Sequence, residues 1–232
     1  MNVCLLIGVV SMLFCVKGLA QNPKWSFELQ GGVPYNIPMP LTIKQNNEPT
    51  IRLNARYSSE PFVSPGYYNW RLGHWKNGKS WEFEFIHHKL YLDNKPPEVQ
   101  EFSISHGYNI VVVNRAFEKM AFEKIPFIIR IGAGVVLAHP EITVRGEALS
   151  QDGGLFGWGY YISGPVLNIA VAKRFYIVEQ WFVNTELKFN PSYARVPVAG
   201  GHAKFWNMPI TFAFGMGIDF LGKDRSADPG IK

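Results

Sequence analysis

Three observations predict the fold class. Segments recur in which large apolar side chains alternate with small or polar ones, turn-forming residues separate them at short intervals, and after residue 20 no apolar run reaches the roughly 18–20 residues a membrane helix needs. Together they predict an all-β protein, an antiparallel up-and-down transmembrane β-barrel. A chain of 232 residues with 15% aromatic side chains, 22 Gly and 16 Pro suits one such barrel.

The first element is a leader. Val3 to Val16 is nearly all apolar and is followed by Gly18-Leu19-Ala20, so residues 1–20 are read as a cleaved signal peptide. Cys4 and Cys15 both fall within it, which leaves the exported chain without cysteine and excludes a disulfide-stapled domain, thiolate chemistry and a cysteine metal site. The formal net charge of +5 is modest, and the basic residues are interleaved with acids along the chain, so no nucleic-acid partner is expected. The barrel is expected over 21–222. Residues 223–232, polar and containing Gly and Pro, are expected to form a disordered tail.

The strands follow in chain order. Ile51, Leu53, Ala55 and Tyr57 oppose Arg52, Asn54 and Arg56; Trp81, Phe83 and Phe85 oppose Glu82 and Glu84. Phe127, Ile129, Ile131, Ala133 and Val135 oppose Arg130, Gly132 and Gly134; Trp181, Val183, Thr185, Leu187 and Phe189 oppose Asn184, Glu186, Lys188 and Asn190. In the last segment Ile210, Phe212, Phe214, Met216, Ile218 and Phe220 oppose Thr211, Ala213, Gly215, Gly217 and Asp219. Successive strand side chains point to opposite faces, so each segment has one greasy and one polar or small face. Charge in mid-strand suits a lumen in which Arg52, Arg56, Arg71 and Arg130 meet Glu82, Glu84 and Glu186. Tyr and Trp near the segment ends (Trp25, Tyr57, Tyr67, Tyr68, Tyr91, Tyr160, Tyr161 and Trp181) are expected to form interfacial girdles.

Gly215-x-x-Ile218-x-Phe220 resembles the carboxyl-terminal assembly signal of bacterial outer-membrane barrels, although here Leu221 to Lys232 follow the aromatic residue. The resemblance implies the outer membrane of a Gram-negative bacterium. It also implies contact with membrane lipid, including lipopolysaccharide, and with the outer-membrane assembly machinery.

Turn lengths give a strand number. With both termini in the periplasm the number is even. If Leu41 to Gln45 is a strand, the turns Asn46-Asn47-Glu48-Pro49, Lys76-Asn77-Gly78-Lys79 and Lys173-Arg174 fall on the inner side. The longer connections 34–40, 59–66, 92–99, 139–157 and 191–203 then fall outside, with 114–124 as a longish inner exception. Ten strands fit best, with eight as the alternative. A barrel of either size is filled by side chains, which argues against a porin.

Chemistry is expected in the hairpin of 81–91 and 101–113. Pairing centred on its loop places His87 beside His106 on the lipid face, with Phe102, Ile104, Tyr108 and Ile110, and His88 beside Ser105 in the lumen. Ionisable groups on a lipid-facing wall are costly and often functional. One reading is acyl transfer or hydrolysis on outer-leaflet lipid, with His87 or His106 as general base, Ser105 as nucleophile and Glu98 as the orienting carboxylate (Asp93 and Glu84 being further candidates). In this the hairpin is similar to the lipid A deacylases and palmitoyltransferases. A metal held by His87, His106 and Glu98 is a further reading, but no spacing demands one, so no metal and no cofactor are assigned. The first expectation is a barrel with a structural, surface-contact or small-ligand-binding role. Lipid A acyl chemistry and a soluble secreted β-protein for a hydrophobic ligand are the alternatives.

Overall fold

The computed structural model describes residues 24–122 and 124–221, so the expected leader and tail lie outside the described residues. The strands are β1 (Lys24–Ile37), β2 (Met39–Gln45), β3 (Ile51–Ala55), β4 (Tyr57–Ser58), β5 (Tyr68–Lys76), β6 (Lys79–Leu92) and β7 (Val99–Ala121). They continue as β8 (Ile125–Ala138), β9 (Glu141–Val144), β10 (Glu147–Ala148), β11 (Tyr161–Tyr176), β12 (Trp181–Phe189), β13 (Ser192–Val198) and β14 (Gly201–Leu221). All pairings are antiparallel. β1, β5, β6, β7, β8, β11, β12 and β14 form a closed ring, sealed by the β1–β14 and β6–β7 ladders.

The ring therefore has eight strands, the smaller of the two numbers expected, and not ten. The remaining strands sit at its outer rim. Pro38 interrupts the ladder after β1, and Leu41 to Gln45 rejoins as β2 on residues 201–205 of β14, above the ring. The turn at 46–49 thus lies on the outer side. Two other turn assignments also shift. Residues 114–121 continue β7, paired to Ile125–Gly132 of β8, and Lys173-Arg174 lies within β11, which turns only after Tyr176. The inner turn at Asn77-Gly78 is as expected: both residues have positive φ (52° and 68°), as the two central positions of a type I′ hairpin require.

The interior has two chemically different halves. Toward the inner end, Arg71 reaches Glu28 at 2.8 Å, Glu84 at 2.8 Å and Glu186 at 2.7 Å, and Arg130 reaches Glu82 and Glu186 at 2.7 Å and Glu28 at 3.1 Å. Lys188 adds contacts to Glu84 and Glu186, and Arg174 adds one to Glu28. Four carboxylates thus meet four cations, which suits a water-poor lumen because each charge keeps a partner. Asn114, Asn168 and Asn190 continue the chain by amide hydrogen bonds of 2.7–2.8 Å. Arg52 and Arg56, expected in this lumen, are instead exposed on the rim.

Above the asparagines the interior becomes apolar. β2, β3, β13 and the outer end of β14 form one wall; β4, β9 and the outer ends of β6 and β7 form the other. Their inner faces share one buried cluster, centred on Tyr57, Phe102, Tyr108 and Phe205 with ring separations of 5.8–6.3 Å. This cap explains two reversed faces. Ile51, Ala55 and Tyr57, like Phe102, Ile104, Tyr108 and Ile110, point into the protein and not to lipid. Alternation identifies an apolar face but does not say which apolar medium it meets.

The ring's exterior is the opposite of its lumen. Leu29, Val33, Ile131, Leu167, Leu187 and Phe214 are among the exposed apolar side chains, and Trp25, Trp81 and Trp181 stand exposed near the inner end. Tyr57 and Tyr67 are buried and belong to no girdle.

Candidate functional site

The site is made by a bulge. β6 and β7 pair His88 with Tyr108 and Leu90 with Ile104, so Lys89 alone faces Ser105, His106 and Gly107. Two extra residues in one strand re-aim its side chains locally. Gly107 has φ 134°, and a Cβ there would lie 2.5 Å from the Asn109 amide, so only glycine suits the turn of the chain. On the other flank Tyr108 pairs Ala138 and Ser103 pairs Glu141, so His139-Pro140 bridges β8 to β9 across the same bulge. The His139 amide donates to Gly107 O at 3.1 Å, and Tyr160 Oη donates to His106 O at 3.0 Å.

This register gives the residues expected to act together other cross-strand partners. His87 pairs Asn109 and bonds its side chain at 2.9 Å; its ring stacks on Tyr68. His88 points inward, bonded to Asn36 at 3.0 Å. Ser105 lies outside the lumen, beside His106. Neither His87–His106 nor His88–Ser105 forms a pair, and exposed Glu98 engages Arg145 through its backbone carbonyl. The alternation that set the expected register misleads here because Phe102, Ile104, Tyr108 and Ile110 are apolar to suit the apolar upper lumen, not lipid.

What the bulge does bring together is Ser105, His106, His139 and Glu141. His106 Nδ1 lies 2.8 Å from Glu141 Oε1, and its side chain is 64% exposed. Ser105 Oγ donates to the other Glu141 oxygen, and Ser103 Oγ reaches it at 3.3 Å. The His139 ring stands 5.0 Å from that of His106 and is met edge-on by Tyr160 at 4.9 Å. Glu141 and His139 were missed because both lie in the long segment 139–157, where no strand was expected.

The cluster does not have the geometry of a Ser-His-carboxylate triad. There, one imidazole nitrogen faces the hydroxyl and the other faces the acid. Here Ser105 Oγ, at 3.3 Å, and Glu141 both address Nδ1 of His106.

A second feature is electrostatic. Cross-strand pairing places Arg195 beside Lys204, Lys204 beside Thr42, Thr42 beside Arg52, and His202 beside Lys44, all on the outward face of the β13–β14–β2–β3 wall. Among the described residues no carboxylate forms an ion pair with any of these five basic groups. Burial, followed by the charges of Arg195, Lys204 and Lys44, holds the His202 imidazole below its usual pKa. Trp206 and Tyr193, packed at 5.3 Å, lie two residues below on the membrane side.

A closed even-stranded antiparallel ring, apolar outside and charged inside, with short inner turns and a large outer end, defines an outer-membrane-type β-barrel. No protein-family model matches the chain, and no curated protein matches it. Solved structures to which the chain is similar include three. OprG from Pseudomonas aeruginosa has a TM-score of 0.48 at 10% identity, over 87% of this chain and 98% of that one. Neisserial surface protein A has 0.39 at 8%, over 84% and 96%. Ail of Yersinia pestis has 0.37 at 9%, over 87% and 100%. At these values the class rests on the chain's own pairing and surface.

Proposed function

We propose that the protein is a non-channel barrel of the outer membrane whose cap binds the anionic glycolipid of the outer leaflet, giving it a structural and surface-contact role. The observation that carries this reading is the basic row Arg195–Lys204–Arg52 with Lys44, paired with no carboxylate among the described residues and standing just above Trp206 and Tyr193. Aromatic pairs mark the interface, and cations immediately outside it meet the phosphates of a lipopolysaccharide layer. The filled lumen supports the same reading, since it leaves the outer surface as the working part of the molecule.

The test is binding of the refolded barrel to lipopolysaccharide at low and high salt, compared with a Lys44→Gln/Arg195→Gln/Lys204→Gln variant. Each cation near an anionic surface contributes about 1 kcal/mol, so the variant is expected to bind about a hundredfold more weakly, and salt is expected to weaken the wild type. Equal, salt-insensitive binding by both proteins would remove the proposal.

A further inference from the structure

The bulge cluster has a feature that a hydrogen-bonded Ser105–Glu141–His106 group leaves unexplained. His139 turns its ring into the same place, yet its Nδ1 is buried and, among the described residues, has no hydrogen-bond partner. The ring is held there: Tyr160 packs its edge, and residue 159 is a glycine at φ 72°, where a Cβ would stand 2.5 Å from His139 Nε2. Ligand atoms of His106, His139 and Glu141 all lie within 4.8 Å of one another. Around a tetrahedral ion bound at about 2.0–2.1 Å, ligand atoms stand roughly 3.3 Å apart, so small side-chain adjustments complete the set.

We infer that His106, His139 and Glu141 form a binding site for a transition-metal dication of the Zn2+ class on the outer wall of the barrel. Two imidazoles and one carboxylate are a donor set that suits zinc, and three protein ligands leave a fourth position open to solvent. The exposure of His106 gives the ion a route in. Ser105 and Ser103 act one shell out: their hydroxyls hold the second oxygen of Glu141 and so orient the oxygen that faces the ion. The two-residue bulge is what permits the site, because a regular β7 would send His106 into the apolar cap. This inference is independent of the basic row, which lies on the opposite wall of the cap.

The experiment is a calorimetric titration of the full barrel, refolded without a histidine tag, with Zn2+ and separately with Ca2+. One Zn2+ per barrel is expected, with no Ca2+ uptake. His139→Asn and Glu141→Gln should each weaken Zn2+ binding at least about tenfold, Ser105→Ala about tenfold, and His74→Asn and His202→Asn should leave it unchanged. Heat-modifiable gel migration confirms that each variant is folded. Zn2+ should also raise the temperature at which the folded band disappears in the wild type but not in His139→Asn. Wild-type affinity in a folded His139→Asn variant, or no stoichiometric Zn2+ uptake by the wild type, overturns the inference.

Discussion

Arg130 shows how a charge is kept inside this barrel. Its guanidinium is fully buried and donates to Glu82, Glu186 and Glu28, so every nitrogen faces an acceptor. Truncation would remove a cation from a balanced set and leave buried carboxylates uncompensated, a change that costs about 3–5 kcal/mol. Arg130→Ala is therefore expected to lose stability on that scale in urea unfolding followed by heat-modifiable migration, while Arg52→Ala, exposed on the rim, should change it by no more than about 0.5 kcal/mol. Comparable losses for both would mean that the lumen network does not carry the stability assigned to it. The same contrast governs the histidines. His88 is buried and bonded to Asn36, whereas His106 is turned outward by the bulge with its ring open to solvent.

At the level of elements, the cap and the ring are distinguishable pieces of one sheet. The cap strands are short, and what fastens them is the shared apolar cluster around Phe205, which meets Tyr57, Phe102 and Tyr108. Phe205→Ala opens a cavity worth about 3–5 kcal/mol at a place far from the charged lumen. Such a loss is expected to loosen the cap before the ring. Limited proteolysis should then cleave the variant faster between residues 39 and 67 while the ring fragment stays protected. Simultaneous loss of cap and ring would show that the two unfold as one unit.

At the scale of the whole molecule, the two halves of the interior act in series. Ion pairs fill the inner half and apolar side chains the outer half, so an ion entering from either end meets a compartment already satisfied or one that excludes it. Planar bilayers containing the folded protein are expected to show no conductance steps. Regular single-channel steps would contradict the filled lumen and the surface role built on it.

The amino-acid sequence by itself determined the class of the molecule. Alternation in the segments around Trp81, Ile131, Leu187 and Phe214 identified strands that face lipid, and mid-strand Arg71, Arg130, Glu82, Glu84 and Glu186 identified a charged lumen, because these side chains have one chemically acceptable side each. Only the tertiary structure decided the rest. Ile51 and Phe102 are apolar whether they meet lipid or a protein core, so the cap was not legible and two strands too many were assigned to the ring. The bulge at Ser105–Gly107 is a backbone event that shifts register without marking periodicity. It gives His87 Asn109 as its cross-strand partner and gives His106 new neighbours, His139 and Glu141, more than thirty positions along the chain. The basic row was hidden for the same reason: Arg52, Lys204 and Arg195 are distant in sequence and become neighbours only when β3, β2, β14 and β13 pair.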